Sequence, residues 1–96
     1  MPPEADDASM DRSLARGCAA GDRDAFAAAV QRYLPSLLRF ARAQCDGELA
    51  ANEIVLRAIE RAGRDLRSCD EAEGALAWLM RSVRLSCSSL DRDRAC

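Results

Sequence analysis

A helical repeat of apolar residues between Glu48 and Arg67 is the feature that most constrains the fold of this chain. The segment reads ELAANEIVLRAIERAGRDLR, and Asp46 precedes it as a candidate N-cap. Its apolar residues return at steps of three and four positions, which is the period of one face of an α-helix. The charged residues fall largely outside this stripe. The segment therefore predicts a helix with one face in a core and one charged face, for which solvation is the simplest role. The stripe consists of Ala51, Ile54, Val55, Ala58, Ala62 and Leu66.

Two further stripes of the same period flank this helix. The earlier one predicts a helix from Arg23, capped by Asp22, to about Cys45, and it keeps its phase across Pro35. A proline inside a helix removes one hydrogen bond and crowds the preceding turn, so we expect one kinked helix rather than two. The later stripe predicts a helix from about Glu71 to Leu90. The two stripes are Phe26, Val30, Tyr33, Leu34, Leu37, Leu38 and Ala41, and Leu76, Leu79, Met80, Val83, Cys87 and Leu90.

The N-terminal part of the chain predicts one more, shorter helix. It runs from about Ser9 to Ala20 with Ser9 or Asp7 as the cap, and its buried side carries Leu14 and Cys18. Residues 1–8 open with two prolines among acids, which indicates a disordered acidic lead. The prediction is therefore an all-α, compact bundle of four helices over residues 9–91, followed by a frayed tail over residues 92–96. An apolar fraction of 49% that is rich in alanine suits close-packed helices.

Charge and cysteine usage exclude several classes of protein. The formal net charge is −2, whereas a domain that binds nucleic acid alone is usually basic. The chain has five cysteines, no histidine and no Cys-x-x-Cys pair, which argues against a metal site and a secreted disulfide scaffold. Cys87 and Cys45 are expected to be small core residues. With neither a signal peptide nor a run long enough to cross a bilayer, the expectation is a cytoplasmic protein without a cofactor.

Three blocks of the chain occur in a familiar order. They are CAAGDRDAFAAAVQRYLPSLLRFARAQC, NEIVLRAIERAGRDL and ALAWLMRSVRLSC, with an Asp-Gly break after the first. In this order the chain resembles region 2 of bacterial σ70-type RNA polymerase sigma factors, of the extracytoplasmic-function (group IV) kind, over residues 14–90. The resemblance implies a transcription initiation module that is not an enzyme. Its implied partners are core RNA polymerase and the −10 element of promoter DNA.

In this family the third helix docks on the coiled coil of the largest polymerase subunit. The usual pattern there is Asp-hydrophobic-Val-Gln-Glu/Asp, and the matching stretch here is Glu53-Ile54-Val55-Leu56-Arg57. Leu56 replaces an amide, and Arg57 reverses a charge. The resemblance implies polymerase binding by Glu53, Val55, Leu56, Arg57, Glu60 and Arg61.

The last helix of the family and the loop before it capture flipped bases of the −10 element. The usual pattern is Trp-Leu-x-Arg-Ile-Ala-Arg-Asn, then an Asp and a basic run. Leu85 stands here for the Asn and Ser89 for the Asp, and the loop 68–73 carries three acids. The implied DNA-binding residues are Trp78, Arg81, Arg84, Leu85, Ser89 and Arg92, with weak binding by the domain alone.

Other hypotheses remain open beside this one. A degenerate sigma-like domain would bind a regulator, such as an anti-sigma factor, rather than promoter DNA. An unrelated small helical adaptor is a third hypothesis. For single residues, Trp78 can equally cover the edge of the core, and Arg81 and Arg84 can pair with acids one turn away on their own helix.

Overall fold

The computed structural model describes the backbone of residues 3–45 and 47–95 and the side chains of residues 7–45 and 47–88. Over these residues the chain forms an all-α globule of four helices, as the sequence predicts. They are α1 (Pro3–Ala19), α2 (Arg23–Gln44), α3 (Glu48–Arg64) and α4 (Ala75–Ala95), with a short 3₁₀ turn at Leu66–Ser68. α4 packs most extensively against α3, and α2 contacts each of the other three helices. No helix of this described part is long and apolar enough to cross a membrane.

The N-terminal helix is longer than the sequence pattern predicts. α1 begins at Pro3, so its backbone includes residues 3–8, which the sequence pattern assigned to the lead, and Ser9 and Asp7 lie inside the helix rather than at its cap. Proline is compatible with the first turn of a helix, where its missing N–H has no partner to lose. Leu14 and Cys18 are buried as predicted.

The junction between α1 and α2 follows the predicted chemistry. Gly21 has φ of +87°, a conformation that an L side chain rarely adopts, and it follows the end of α1. Asp22 caps α2, and its carboxylate accepts hydrogen bonds from the backbone N–H groups of Asp24 and Ala25. α2 then continues as one helix through Pro35, which confirms the prediction of one helix rather than two.

α3 is the helix that the sequence predicts best. Its buried residues are the predicted ones as far as Ala62, and Leu66 is buried in the 3₁₀ turn after the helix. The helix follows Gly47, which has no side chain with which to form a capping hydrogen bond. The proposed cap, Asp46, lies outside the described residues.

α4 begins later and ends later than expected. Residues 70–74 form a turn that ends at Gly74, so the predicted start at Glu71 is wrong. The backbone of α4 runs to Ala95, beyond the predicted end at Leu90 and through most of the tail expected to fray. Leu79, Val83 and Cys87 are buried as predicted. Two buried serines, Ser82 and Ser86, lie beside them, and the apolar pattern did not indicate these.

Candidate functional site

The exposed face of α3 carries two leucines. Leu49 is 87% exposed and Leu56 is 61% exposed, and because they are seven positions apart they lie on the same side of the helix. Arg57 and Arg61 are exposed on the other edge of this face. The row between the two edges is charged. We call this surface the α3 face; it comprises Leu49, Glu53, Leu56, Arg57, Glu60, Arg61 and Arg64.

A groove of about 700 Å³ runs along the α3 face where it meets α4. Six exposed residues of α3 line it, and the groove is also lined by Ser86 of α4. Ser86 is 2% exposed, and its hydroxyl oxygen has no hydrogen-bond partner within the described part of the chain. A buried hydroxyl without a partner costs about 1–3 kcal/mol. Ser86 is therefore an unfavourable residue for stability at this position. The α3 residues of the groove are Glu53, Leu56, Arg57, Glu60, Arg61 and Arg64.

Three guanidinium groups and two carboxylates line the groove. Arg57 Nη2 lies 3.1 Å from Glu53 Oε1, and Arg64 Nη2 lies 3.7 Å from Glu60 Oε2. Both are pairs of exposed side chains one helical turn apart, and such pairs contribute little to stability. Arg61 forms no ion pair with another described side chain. The lining thus has an excess of one positive charge.

A smaller depression of about 310 Å³ continues from the groove and shares Arg61 with it. Leu85, which is 48% exposed, and Arg81 line this depression. Trp78 lies at its base, with 3% of the residue exposed. The exposed residues that the resemblance assigns to polymerase thus adjoin Arg81 and Leu85, two of the residues that it assigns to DNA, and the two surfaces meet at Arg61.

The indole of Trp78 is held inside the bundle by two contacts. Its Nε1 donates a hydrogen bond to Ser68 Oγ at 3.0 Å. Its ring meets Phe26 edge to face, with the ring centroids 6.1 Å apart, an arrangement that aromatic pairs favour. With its polar atom satisfied and its ring buried, Trp78 lies in the core in this structure. The hypothesis that it covers the core edge agrees with this placement, and no ring face is presented for stacking on a base.

The loop before α4 holds its acids close to arginines. Glu71 Oε1 lies 2.6 Å from Arg16 Nη2, and Glu73 Oε1 lies 3.2 Å from Arg81 Nη2. The hydrogen bond from Arg16 lowers the pKa of the Glu71 carboxyl. Arg81 therefore pairs with an acid of the loop and not with one on its own helix. A strand of DNA that approached Arg81 would first have to displace a carboxylate.

The structure separates the predicted site residues into three groups. Of those assigned to polymerase, only Val55 is buried, where it packs in the core. Of those assigned to DNA, Trp78 is buried, whereas Arg81, Arg84 and Leu85 are exposed. The side chains of Ser89 and Arg92 lie outside the described residues, although their backbone belongs to α4.

A polar cluster that the sequence did not indicate joins α1, α2 and the start of α4. The hydroxyl of Tyr33 donates to Asp11 Oδ1 at 2.7 Å, and the backbone N–H of Leu76 donates to the same oxygen at 2.9 Å. Asp11 of α1 thereby caps the first turn of α4. Gly74 has φ of +90°, and a Cβ there would overlap the Asp11 carboxylate. Because the capping residue is 65 positions away, no local sequence signal could have found it.

Two cysteines of the core have raised pKa values. Burial raises the pKa of the Cys69 thiol to about 12, and it also raises the pKa of the Cys18 thiol. Such thiols are not nucleophilic near neutral pH. The described residues contain no group of three His, Cys, Asp or Glu side chains arranged to hold a metal ion.

Comparisons of the chain with protein-family models, with curated proteins and with solved structures found no match.

Proposed function

We propose that this domain is a transcription initiation module of the sigma factor region 2 kind, and that it acts by docking core RNA polymerase through the α3 face. The proposal combines the sequence resemblance with one structural observation. The residues that the resemblance assigns to polymerase, apart from Val55, are exposed together along one groove. Leu56 supplies exposed apolar area at the outer edge of this groove, as expected of a protein interface.

Promoter contact is the weaker half of this proposal. Arg81 and Arg84 are exposed on α4, but Trp78 is buried and Glu73 neutralises Arg81. Only a few guanidinium groups would then contact the DNA backbone. We therefore expect the isolated domain to bind single-stranded −10 DNA weakly, with an affinity that falls as salt rises because neutralised phosphates release counterions.

A second candidate function is the binding of a regulator, such as an anti-sigma factor, in place of promoter DNA. The specific observation in its favour is the burial of Trp78 together with the pairing of Arg81, which leaves α4 without a stacking platform. Arg57 adds to this, since the polymerase surface is expected to complement an acid at that position. A like-charge contact in an interface costs several kcal/mol.

The experiment that tests the proposal is a binding measurement with the coiled-coil clamp fragment of the largest polymerase subunit beside candidate anti-sigma factors. Arg57→Glu restores the charge of the family pattern, and we expect it to strengthen clamp binding about tenfold or more. Arg39→Glu, the same change at an exposed residue of α2, is the matched control and should leave the affinity unchanged. If the clamp binds neither the wild type nor Arg57→Glu while a regulator binds the wild type tightly, the polymerase proposal fails and the regulator proposal stands.

A further inference from the structure

The groove between α3 and α4 has features that the family resemblance does not account for. Its edge toward α4 is basic, its outer edge carries Leu56, and a buried hydroxyl without a partner lines it. The hydroxyl of Ser86 is too deeply buried for a bound group to reach it, so recognition in the groove falls to its exposed side chains, among them Leu56 and Arg61.

We infer that the groove binds an acidic amphipathic helix of another protein, with its apolar side on Leu56 and Leu85 and a carboxylate on Arg61. This inference rests on the second proposed function, because it gives the chemistry of the regulator that would bind there. The family's acidic pattern at this face would complement a basic partner surface, whereas the partner inferred here is acidic.

Three observations favour this occupant. Arg61 is shared by the groove and the adjoining depression and forms no ion pair with a described residue, so a carboxylate there displaces no existing partner. The Glu60–Arg64 pair is exposed and can exchange partners at little cost. Apolar area lies on both sides of the charges, at Leu56 and Leu85, and an amphipathic helix matches this pattern of a charged strip beside apolar residues.

The test is a selection from a displayed library of helical peptides that keep leucine along one side and carry Glu, Gln or Lys at the flanking positions. We expect wild-type protein to enrich Glu at those positions. Arg61→Glu protein should lose this enrichment or reverse it toward Lys, whereas Arg39→Glu protein should select as the wild type does. A library with no binder, or with equal use of Glu, Gln and Lys, would overturn the inference.

Binding of the enriched peptide is then measured with further variants and by chemical-shift changes, to locate its site on the protein. Arg61→Ala should weaken its binding about tenfold or more, the loss expected for one charge-assisted hydrogen bond, without lowering the free energy of unfolding. Chemical-shift changes should centre on α3 and α4 at the groove, and changes centred on α1 and α2 would contradict the inference. Dimerisation of the wild type that Arg61→Glu abolishes would also contradict it, because the acidic N-terminal part of a second copy would then be the occupant.

The clamp fragment is measured in the same series, so that the two proposals can fail separately. Clamp binding without any preference for acidic peptides overturns the inference and leaves the polymerase proposal in place. Preference for acidic peptides without clamp binding supports the inference and overturns the polymerase proposal.

Discussion

Asp11 on α1 and Ser86 on α4 are polar side chains in different parts of the same bundle, and their surroundings differ. Asp11 accepts hydrogen bonds from the Tyr33 hydroxyl and from the backbone N–H of Leu76 at the start of α4. Ser86 has no partner among the described residues, and the surface above it carries exposed Leu56.

The difference indicates that the two regions of the bundle have different roles. On the Asp11 side, hydrogen bonds between residues far apart in the chain join α1, α2 and α4, and so stabilise the fold. On the Ser86 side, an unpartnered hydroxyl and exposed leucines lower the stability or leave it unchanged, as a binding surface commonly does. Substitutions in each region test this contrast, beginning with the core that both share.

The largest effect is expected from Leu79→Ala. Leu79 is almost fully buried between the helices, and truncation of such a leucine lowers the free energy of unfolding by about 2–5 kcal/mol. Leu49→Ala on the α3 face is the control and should change it by no more than about 0.5 kcal/mol. Urea unfolding of the two variants measures both values. Equal losses of unfolding free energy in the two variants would contradict the assignment of Leu79 to the core and of Leu49 to the exposed α3 face.

Asp11→Ala is expected to have the next largest effect. It removes the cap of α4 and leaves the Tyr33 hydroxyl without its acceptor, so we expect a loss of about 2 kcal/mol. Asp7→Ala is the matched control, since Asp7 forms only an exposed ion pair with Arg32, and such pairs contribute less than about 1 kcal/mol. Thermal unfolding of both variants gives the comparison. A loss no larger for Asp11 than for Asp7 would remove the stabilising role assigned to this side.

Alkaline titration tests the hydrogen bond between Tyr33 and Asp11 through the pKa of the tyrosine. Burial, together with the hydrogen bond to Asp11, raises the pKa of Tyr33 to about 12 from its ordinary value of 10. Because the folded pKa is the higher one, the stability linked to Tyr33 is complete below about pH 10 and is lost as pH rises toward about 12. The chain has one tyrosine, so phenolate absorbance reports Tyr33 alone. Asp11→Ala should lower this pKa, and an unchanged value would contradict the hydrogen bond.

The smallest effect concerns the two buried serines of α4. Ser82 Oγ donates to the carbonyl of Ala58 at 2.8 Å, so Ser82→Ala should lower the free energy of unfolding by about 1 kcal/mol. Ser86→Ala removes a hydroxyl without a partner and should leave the stability unchanged or raise it by up to about 1 kcal/mol. The two variants make the same chemical change one helical turn apart. If Ser86→Ala cost as much as Ser82→Ala, the hydroxyl of Ser86 would have a partner in the folded chain.

The sequence predicted what depends on local spacing. The stripe of α3, the Asp22 cap and the continuity of α2 through Pro35 all follow from residues within a few positions of one another. The start of α4 was predicted wrongly because its cap is Asp11 of another helix. The burial of Trp78 depends on contacts with Phe26 and Ser68, which only the tertiary fold brings together.

The candidate site shows the same limit. The charged face of α3 could be predicted from its period, but the groove beside it needs the packing of α4. Ser86 carried no signal, because a serine in a helix pattern does not reveal whether its hydroxyl has a partner. A sequence pattern can thus indicate which face of a helix is exposed, and the structure is needed to find which polar groups beside it lack hydrogen-bond partners.

The most direct test of the docking role of the α3 face is the affinity of the polymerase clamp fragment for Leu56→Ala, measured by calorimetry beside the wild type and Leu34→Ala. Leu34, which the sequence placed on the apolar stripe of α2, is instead exposed, and it lies away from the groove. We expect Leu56→Ala to weaken binding about tenfold or more, with the free energy of unfolding unchanged within about 0.5 kcal/mol, and Leu34→Ala to bind as the wild type does. Equal affinities for all three proteins, or no clamp binding by any of them, would contradict this docking role.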